Sequence, residues 1–321
     1  MMTGKEMNEM ENLMTIKNLT KSFKNNTVLN GISFDVRRGE VLCILGPNGA
    51  GKTTTINILT TALKSDGGEV EFKGEKIGRQ LHAYKQSLGI VPQDVSLYEE
   101  LSAEQNLEFF ASLYGLKGKK LKEAVNEALA FAGLEERRHD KIKTFSGGMK
   151  RRLNIACAIA HRPELVIMDE PTVGIDPQSR NHILNSIKKL QDSGMTVIYT
   201  THYMEEVEVI ASRIIIMDHG SIIAEGTTES LKEAFENEKR YTILVEENGI
   251  IPENEFFSVE GVKSVKIEGE TIEITSLKGV ENLDKIISLL SDRGEKIRNI
   301  ASETANLEMV FLKLTGRKLR D

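Results

Sequence analysis

The sequence has few cysteines and no long apolar runs, and both absences narrow the possible classes of protein. Only two cysteines occur among 321 residues, so a framework of disulfides is not expected. Cys43 and Cys157 lie in apolar surroundings and are predicted to be small core residues in a reducing cytosol. The longest apolar runs, such as 165–168 and 214–217, are strand-length and far shorter than the roughly 20 residues that cross a bilayer. We therefore expect no membrane span in this chain.

The amino-terminal segment and the net charge give no sign of a targeting signal or of general nucleic-acid binding. Met1 to Asn12 is polar and of mixed charge, without the apolar core of a signal peptide, and we expect a frayed tail or an alternative start there. The net charge of −6 argues against non-specific nucleic-acid binding, although a local basic patch stays open. No nucleic-acid partner is expected. The length allows a large core and a second domain.

The strongest signal is a glycine-rich stretch between a predicted strand, 41–45, and a helical pattern marked by Ile56 and Leu59. It fits Gly-x4-Gly-Lys-Ser/Thr, a loop whose backbone N–H groups and helix N-terminus suit a polyphosphate. An accidental match is expected in about one chain of this length in a hundred. In such a loop Lys52 reaches the β- and γ-phosphates and Thr53 ligates Mg²⁺. The predicted phosphate-binding residues are Gly46, Pro47, Asn48, Gly49, Ala50, Gly51, Lys52, Thr53 and Thr54.

A second apolar run, 165–168, ends in two acidic residues, Asp169 and Glu170. Four consecutive apolar residues are typical of a central parallel strand that is buried on both faces. The carboxyl ends of such strands form the ligand-binding edge of an open α/β sheet. Downstream of a phosphate-binding loop, the pattern predicts an Asp that holds Mg²⁺ and a Glu that completes an ATPase site. The alternative, a capped strand end without function, is weak in this context.

A serine and two glycines open a predicted helix at 145–149. Ser146 as N-cap, followed by Gly147 and Gly148, makes a helix N-terminus that can receive an anion. Taken alone, such a motif is more often only a well-capped helix. The basic residues 150–152 that follow could support an anion, but such a run is usually a solvated face.

Three further side chains are candidates for nucleotide contact. Gln93 follows a predicted strand, at the edge where open α/β sheets bind ligands. His202 follows another predicted strand, and is either a structural residue or a γ-phosphate sensor. Phe23 lies in a predicted turn, 21–26, where an aromatic side chain packs more often than it stacks on a base.

The patterns predict an α/β nucleotide-binding domain over residues 13–236, with a helical insert at about 94–145. Residues 237–240 are predicted to be a polar linker. Alternating strands and two helical patterns within 241–321 then favour a small α+β accessory domain without a catalytic constellation. We expect this second domain to serve regulation or docking.

Taken in order, these motifs resemble the ATP-binding cassette (ABC) family over residues 13 to about 230. The discriminating feature is that Ser146 lies 23 residues ahead of Asp169, where that family carries its signature sequence. Residues 46–53 correspond to Walker A and 165–169 to Walker B. The resemblance also places Gln93 in the Q-loop, Asp176 in the D-loop, His202 at the switch histidine and Phe23 at the aromatic that stacks on adenine.

The resemblance implies a P-loop NTPase fold with a mixed sheet, a helical subdomain and a shared active site. Two cassettes, expected as a homodimer, would join head to tail, with each ATP between the phosphate loop of one and the Ser146–Gly148 helix end of the other. The implied roles are phosphate binding for Lys52, Mg²⁺ ordering for Thr53, Gln93 and Asp169, water polarisation for Glu170, γ-phosphate contact for His202, Ser146, Gly147 and Gly148, and communication across the dimer for Asp176.

Residues 171–177 and 307–316 resemble the drug- and ion-export branch of the family, of the ABC-2 type. This resemblance implies an ATP-hydrolysing subunit that acts through a separate membrane permease, docked on the helical insert, at the inner, cytoplasmic face of the cell membrane. One departure is that Phe145 and Met149 replace the usual first and last signature residues, Leu and Gln. The contact that this Gln side chain makes in the family therefore cannot be assigned to Met149.

Two other functions are alternatives to the transporter subunit. A soluble cassette ATPase that remodels a ribosome or a DNA complex usually carries two cassettes or long coiled-coil insertions. This chain has a single phosphate loop and no extended heptads in its insert. A non-enzymatic nucleotide-gated partner is disfavoured because Glu170 is intact.

Overall fold

The computed structural model describes residues 12–235, 238–246, 252–303 and 306–317. The predicted amino-terminal tail up to residue 11 and Asn237 of the predicted linker lie outside these ranges. The chain divides into two compact units, one ending at Thr228 and the other beginning at Glu229. Among the described residues, no helix is both long enough and apolar enough to span a bilayer.

The first unit contains two sheets and seven α-helices within the described residues. Its strands are β1 (Asn12–Phe23), β2 (Asn26–Arg37), β3 (Val41–Leu45), β4 (Gly67–Phe72), β5 (Glu75–Lys76), β6 (Leu88–Val91), β7 (Leu165–Asp169), β8 (Thr196–Thr201), β9 (Arg213–Asp218) and β10 (Ser221–Gly226). Its helices are α1 (Lys52–Leu59), α2 (Leu81–Gln86), α3 (Ala103–Leu113), α4 (Gly118–Ala132), α5 (Gly147–Ile159), α6 (Pro177–Asp192) and α7 (Met204–Ile210), with short 3-10 turns at Ile77–Arg79, Glu135–Arg137 and Ile142–Thr144.

The central sheet has the strand order β10-β9-β3-β8-β7-β6. All neighbouring pairs are parallel except β9 and β10, which form an antiparallel hairpin. Every residue of β3, β7 and β8 is buried, which is why β3 and residues 165–168 of β7 are apolar runs rather than alternating patterns. Because the strands are parallel, Leu45, Asp169 and Thr201 end at the same edge of the sheet. The predicted α/β fold class is confirmed.

The second sheet is antiparallel, with the order β2-β1-β4-β5. Here the predicted turn at 21–26 is wrong, because β1 continues to Phe23 and only Lys24 and Asn25 turn the chain. Asp66 explains the longer strand. Its carboxylate accepts the backbone N–H of Ser22 at 2.7 Å and pairs with Lys21 Nζ at 2.7 Å, so it stabilises an extended backbone there.

The predicted helical insert contains α3 and α4, which pack with α5 around a separate apolar cluster. α3 begins with a capping box in which Ser102 and Gln105 satisfy each other's backbone N–H groups. α4 ends at Gly133, whose φ of 61° is the left-handed conformation that a helix C-terminus favours. Packing in this cluster fixes the position of α5 beside the central sheet.

The second unit is a small α+β structure with its own core. Its strands are β11 (Glu238–Val245), β12 (Val262–Glu268), β13 (Thr271–Leu277) and β14 (Ile297–Glu303), in the order β12-β13-β11-β14. Its helices are α8 (Thr228–Phe235), which begins at the division, α9 (Glu253–Phe256), α10 (Leu283–Asp292) and α11 (Leu307–Thr315). Residues 238–240 were expected in a linker but begin β11, because they pair with residues 275–277 of β13. The hydrogen bonds that these residues make to β13 stabilise a strand there, although their polar composition is typical of a linker.

Candidate nucleotide-binding and ATPase site

The phosphate loop follows β3 at the carboxyl edge of the central sheet, as the sequence pattern predicted. Gly51 has a φ of 102°, and a Cβ there would lie 2.8 Å from Leu29 Cδ2, so only glycine fits. α1 begins immediately afterwards at Lys52. The first backbone N–H groups of α1 have no partner within the helix, and they provide a binding surface for an anion.

Lys52 is buried and held by oxygens of its own chain. Its Nζ donates to the backbone oxygens of Gly46 at 2.7 Å and Pro47 at 3.1 Å, and lies 3.0 Å from Glu170 Oε1. Lys52 and Glu170 are 5% and 6% exposed. A bound phosphate would therefore share the lysine with, or take it from, the Glu170 carboxylate.

Glu170 has a strained backbone and an ionised side chain. Its φ is 43°, in a region that non-glycine residues rarely adopt, at a cost on the order of 1–3 kcal/mol. Its N–H bonds to Thr200, with 3.0 Å to the hydroxyl oxygen and 3.2 Å to the backbone oxygen. Burial acts to raise the pKa of the carboxyl, but Lys52 and His202 outweigh burial and hold the pKa below its ordinary value of 4.5. An ionised carboxylate in this position can accept a hydrogen bond from water.

A single hydroxyl group positions both Asp169, the last residue of β7, and Glu170, which follows it. Thr200 Oγ1 donates to Asp169 Oδ1 at 2.6 Å while it accepts the N–H of Glu170. Thr200 was not among the predicted site residues. A threonine at the end of the strand adjacent to an Asp-Glu pair was the signal available, since strand ends meet at one edge.

His202 contacts the same carboxylate from the end of β8. Its Nδ1 lies 3.2 Å from Glu170 Oε2, without the geometry of a hydrogen bond. Its ring packs on Tyr203 with 4.2 Å between the centroids. The structure thus brings Lys52, Glu170 and His202 into one chain of contacts.

A cavity of about 160 Å³ opens beside this chain of contacts. Phe23 is not among its lining residues. It lies at the end of β1, 46% exposed, with Lys21 Nζ 5.4 Å from its ring centroid. A larger cavity of about 540 Å³ between α4, α5 and α6 is lined by none of the predicted site residues. The small cavity is lined by Val28, Asn48, Gly49, Gly51, Lys52, Thr53, Thr54, Gln93 and Glu170.

Arg151 holds the backbone on which Gln93 lies. Its guanidinium donates to the backbone oxygens of Pro92 at 2.9 Å and Gln93 at 2.6 Å, and the residue is only 4% exposed. The expectation that residues 150–152 form a solvated face is therefore wrong for its central residue. Successive helical side chains point about 100° apart, so three basic residues in a row cannot all face solvent on a packed helix.

A second group of predicted residues lies at the amino ends of α5 and α6. Ser146 Oγ accepts the N–H of Met149 at 3.3 Å, so it is the predicted N-cap. Asp176 Oδ1 accepts the N–H of Ser179 at 2.9 Å, and this bond holds the pKa of Asp176 below its ordinary value. A Cβ on Gly148 would lie 2.6 Å from the Ser179 Cβ and nearer still to its hydroxyl oxygen. The two helix ends therefore pack together only because residue 148 is glycine.

Within the described residues, no three His, Cys, Asp or Glu side chains are placed to hold a metal ion among themselves. The expected Mg²⁺ ligands are of another kind. Thr53 is exposed and lines the cavity together with Gln93, and Asp169 ends β7. Hydroxyl, amide and carboxylate oxygens are the donors that Mg²⁺ accepts alongside nucleotide phosphates.

Comparison with known proteins gives concordant matches. Residues 29–173 match the family model described as ABC transporter. The linearmycin resistance ATP-binding protein LnrL of Bacillus subtilis (strain 168) is 44% identical over 316 residues, covering 96% of this chain and 100% of LnrL. The daunorubicin resistance ATP-binding protein DrrA3 of Streptomyces coeruleorubidus is 33% identical over 303 residues, covering 94% of this chain and 96% of DrrA3.

Solved structures agree on the first unit. An ATP-binding subunit of an ABC transporter has a TM-score of 0.63 at 30% identity, covering 70% of this chain and 93% of its own. A dimeric ATP-binding cassette in a post-hydrolysis state, bound to ADP and Pi, has a TM-score of 0.61 at 28% identity, covering 67% and 98%. These matches confirm the predicted family and its export branch, and favour them over the ribosome- or DNA-remodelling alternative. The chain belongs to the ABC transporter family and is an ATP-binding ATPase cassette.

Proposed function

We propose that this chain hydrolyses ATP to drive an export transporter through a separate membrane permease, and that it lies against the inner face of the cell membrane in that complex. The observation that carries the proposal is the buried, ionised Glu170, placed between the phosphate-loop Lys52 and His202. Phosphoryl transfer to water needs mainly positioning and charge stabilisation, and these three groups provide both.

Each side chain has a role that follows from its place. Lys52 exchanges its backbone and carboxylate partners for phosphate oxygens when ATP enters. Once released from Lys52, the Glu170 carboxylate accepts a hydrogen bond from an O–H of the attacking water. This bond orients the water. His202 lies beside Glu170 and donates toward the γ-phosphate. The bonds from its N–H to Thr200 hold the strained backbone of Glu170 at the end of the strand.

Mg²⁺ is the metal that the donor set fits, with Thr53, Gln93 and Asp169 as the residues that would hold it. The ion would supply charge neutralisation of the phosphates. Thr200 keeps one Asp169 oxygen hydrogen-bonded and thereby orients the carboxylate. Phe23, half exposed at the end of β1, is the proposed stacking partner of adenine.

We propose that the working unit contains two cassettes. Ser146, Gly147 and Asp176 are exposed, and they form a group separate from Lys52 and Glu170. Helix N-termini of this kind suit a phosphate supplied from outside the chain. A structural relative was solved as a dimer bound to ADP and Pi, which supports the same arrangement here.

The permease would dock on the helical insert. Tyr98, Phe109 and Leu113 expose 50%, 37% and 61% of their surface, and the two aromatic rings contact each other edge to face at 4.9 Å. Exposed large apolar side chains that cluster mark interaction surfaces. The relatives are named for linearmycin and daunorubicin resistance and for Nod factor export, so export of a compound of this kind is the transport class that we propose.

Substitution of Glu170 tests the catalytic part of this proposal. Glu170→Gln should keep ATP affinity within about twofold, lower phosphate release by about 100-fold or more, and accumulate an ATP-bound dimer visible by size-exclusion chromatography. Turnover near that of the wild type would remove Glu170 from the catalytic role. For the transport part, purification from native membranes should recover a multi-spanning permease, and repeated recovery with ribosomes instead would overturn it.

A further inference from the structure

Glu206 is a buried carboxylate near Glu170 and His202 that takes no part in the proposed ATP hydrolysis. Glu206, on α7, is 1% exposed, and three hydroxyl groups donate hydrogen bonds to it. Its Oε1 accepts from Thr172 Oγ1 at 2.6 Å, and its Oε2 accepts from Tyr199 OH at 2.8 Å and Thr201 Oγ1 at 2.7 Å. An isolated buried carboxylate is costly, and a satisfied network of this kind fixes the positions of its members.

The charge of Glu206 is partly compensated from α6. Arg180 Nε lies 3.5 Å from Glu206 Oε1, and its guanidinium lies 4.7 Å above the centre of the Tyr203 ring. Burial and the neighbouring Glu206 both raise the pKa of Tyr199 well above its ordinary value. The Tyr199 hydroxyl therefore keeps its proton and remains a donor to the carboxylate.

One arm of the network reaches the segment between Glu170 and Asp176. Thr172 lies in this segment, and two consecutive turns shape it. Val173 N–H donates to Glu170 O at 3.3 Å, and Ile175 N–H donates to Thr172 O at 3.2 Å. Anchoring the Thr172 side chain therefore fixes the chain that leads from the catalytic carboxylate to the amino end of α6.

The other arm reaches the turn that carries His202. The Thr201 hydroxyl donates to Glu206 and also accepts the backbone N–H of Tyr203 at 2.9 Å. This closes a short turn around His202, whose ring faces Glu170. Glu206 thus contacts both the segment that leads from Glu170 to Asp176 and the residue that closes the turn around His202, although it does not line the small cavity.

We propose that Glu206 is a positioning residue that holds the Thr172 segment and the His202 turn in a single arrangement. Because of this link, the Glu170–His202 contact and the Asp176 helix end move together when a second cassette closes. The inference rests on the proposed function, since it assigns Glu206 a part in ATP turnover and none in nucleotide binding.

The test compares two buried carboxylates of the first unit. Glu40 is 4% exposed and bonds Arg213 through both oxygens, at 2.7 and 3.1 Å, but it precedes β3 at the opposite edge of the sheet. Glu206→Ala and Glu40→Ala should both lower Tm, because each leaves a buried group unpaired. In the full chain with Mg²⁺ and ATP, Glu206→Ala should lower kcat about tenfold with ATP Kd within twofold, as a small misplacement does. Glu40→Ala should keep kcat per folded molecule.

Two further variants keep the test decisive. Glu206→Gln retains size and one acceptor oxygen and should recover most of the lost kcat. Tyr199→Phe removes one hydroxyl donor without changing packing and should lower kcat by about threefold, the value of one hydrogen bond. If Glu206→Ala does not fold, an unchanged kcat in Tyr199→Phe overturns the proposal.

Equal loss of kcat in the Glu206 and Glu40 variants, or a parallel loss of ATP affinity in Glu206→Ala, would also overturn it. Failure of the proposed function looks different. In that case the wild-type chain shows no ATP turnover, or Glu170→Gln keeps full turnover, whatever Glu206 does.

Discussion

Two helix N-termini in the first unit have the same chemistry but opposite surroundings. At the start of α1, Lys52 is buried and already engaged by Glu170 and two backbone oxygens. At the start of α5, Ser146 and Gly147 are exposed, and the only side-chain cap is the serine itself. We call the α1 end closed, because groups of its own chain engage Lys52, and the α5 end open, because Ser146 and Gly147 are exposed.

The difference indicates a division of labour. A site lined by Lys52, Thr53 and Glu170 has the positive and negative charges needed to bind and process ATP. The Ser146 end, with exposed Asp176 beside it, has anion-binding geometry but no cation of its own in the predicted set. We therefore expect that loss of Lys52 alters nucleotide binding in a single chain, whereas changes at the second end alter only steps that need two chains.

The largest expected effect is at the closed end. Lys52→Ala should weaken ATP binding by about 100-fold, because the variant loses charge-assisted hydrogen bonds to the phosphates. Fluorescent-nucleotide titration of the purified chain measures this loss. Lys17→Ala is the matched control, since Lys17 also pairs with a glutamate, Glu71 at 3.0 Å, but on the exposed surface. Equal affinities in the two variants would contradict the phosphate-loop assignment.

The second prediction concerns the open end. Gly148→Ala should push apart the amino ends of α5 and α6, because the new Cβ would clash with Ser179. We expect about a tenfold loss of turnover and of dimer formation, with ATP affinity of the single chain unchanged. Turnover assays of Gly148→Ala measure the first loss. Size-exclusion chromatography of Gly148→Ala combined with Glu170→Gln measures the second.

A double variant provides the control for this clash. Ser179→Gly removes both atoms that the added Cβ would meet, so Gly148→Ala combined with Ser179→Gly should recover part of the turnover. If Gly148→Ala instead weakened ATP binding as strongly as Lys52→Ala, the two helix ends would not be independent. The division of labour would then be wrong.

The sequence predicted the closed end better than it predicted the contacts behind it. The phosphate loop and the Asp169-Glu170 pair are local patterns, so strand, turn and helix are readable from neighbouring residues. Arg151 and Glu206 are not. Arg151 lies in a basic run, and the backbone oxygens that its guanidinium contacts follow β6, far away in the chain. Such contacts depend on residues far apart in the chain.

Glu206 did leave one trace in the sequence. It lies one turn before Ile210 on α7, so it occupies the apolar stripe of that helix, where a charge needs partners. Its three hydroxyl donors come from β8 and from the segment after β7, which no local pattern connects. Phe23 was placed in a turn for a similar reason, since Asp66, which extends β1, lies far along the chain.

The smallest effect we predict separates the two ends by their response to pH. The pKa of Glu170 is lowered in the folded state, so its ionised form stabilises the fold at pH values above its ordinary value of 4.5, and this contribution is lost as pH falls through the folded pKa. Wild-type protein should therefore lose more stability than Glu170→Gln between pH 7 and about pH 4, by at most a few degrees in Tm. Thermal unfolding without nucleotide measures the difference.

Asp176→Asn is the comparison at the open end. The pKa of Asp176 is lowered mainly by the Ser179 N–H, and not by a buried cation. Asparagine caps a helix about as well as aspartate, and solvent screens the exposed Asp176. The pH dependence of this variant should therefore differ from that of the wild type less than the pH dependence of Glu170→Gln does. If Asp176→Asn departed from the wild-type pH dependence as far as Glu170→Gln does, the exposed cap would carry as much charge-dependent stability as the buried Lys52–Glu170 pair. The contrast between a closed and an open end would then fail on electrostatic grounds.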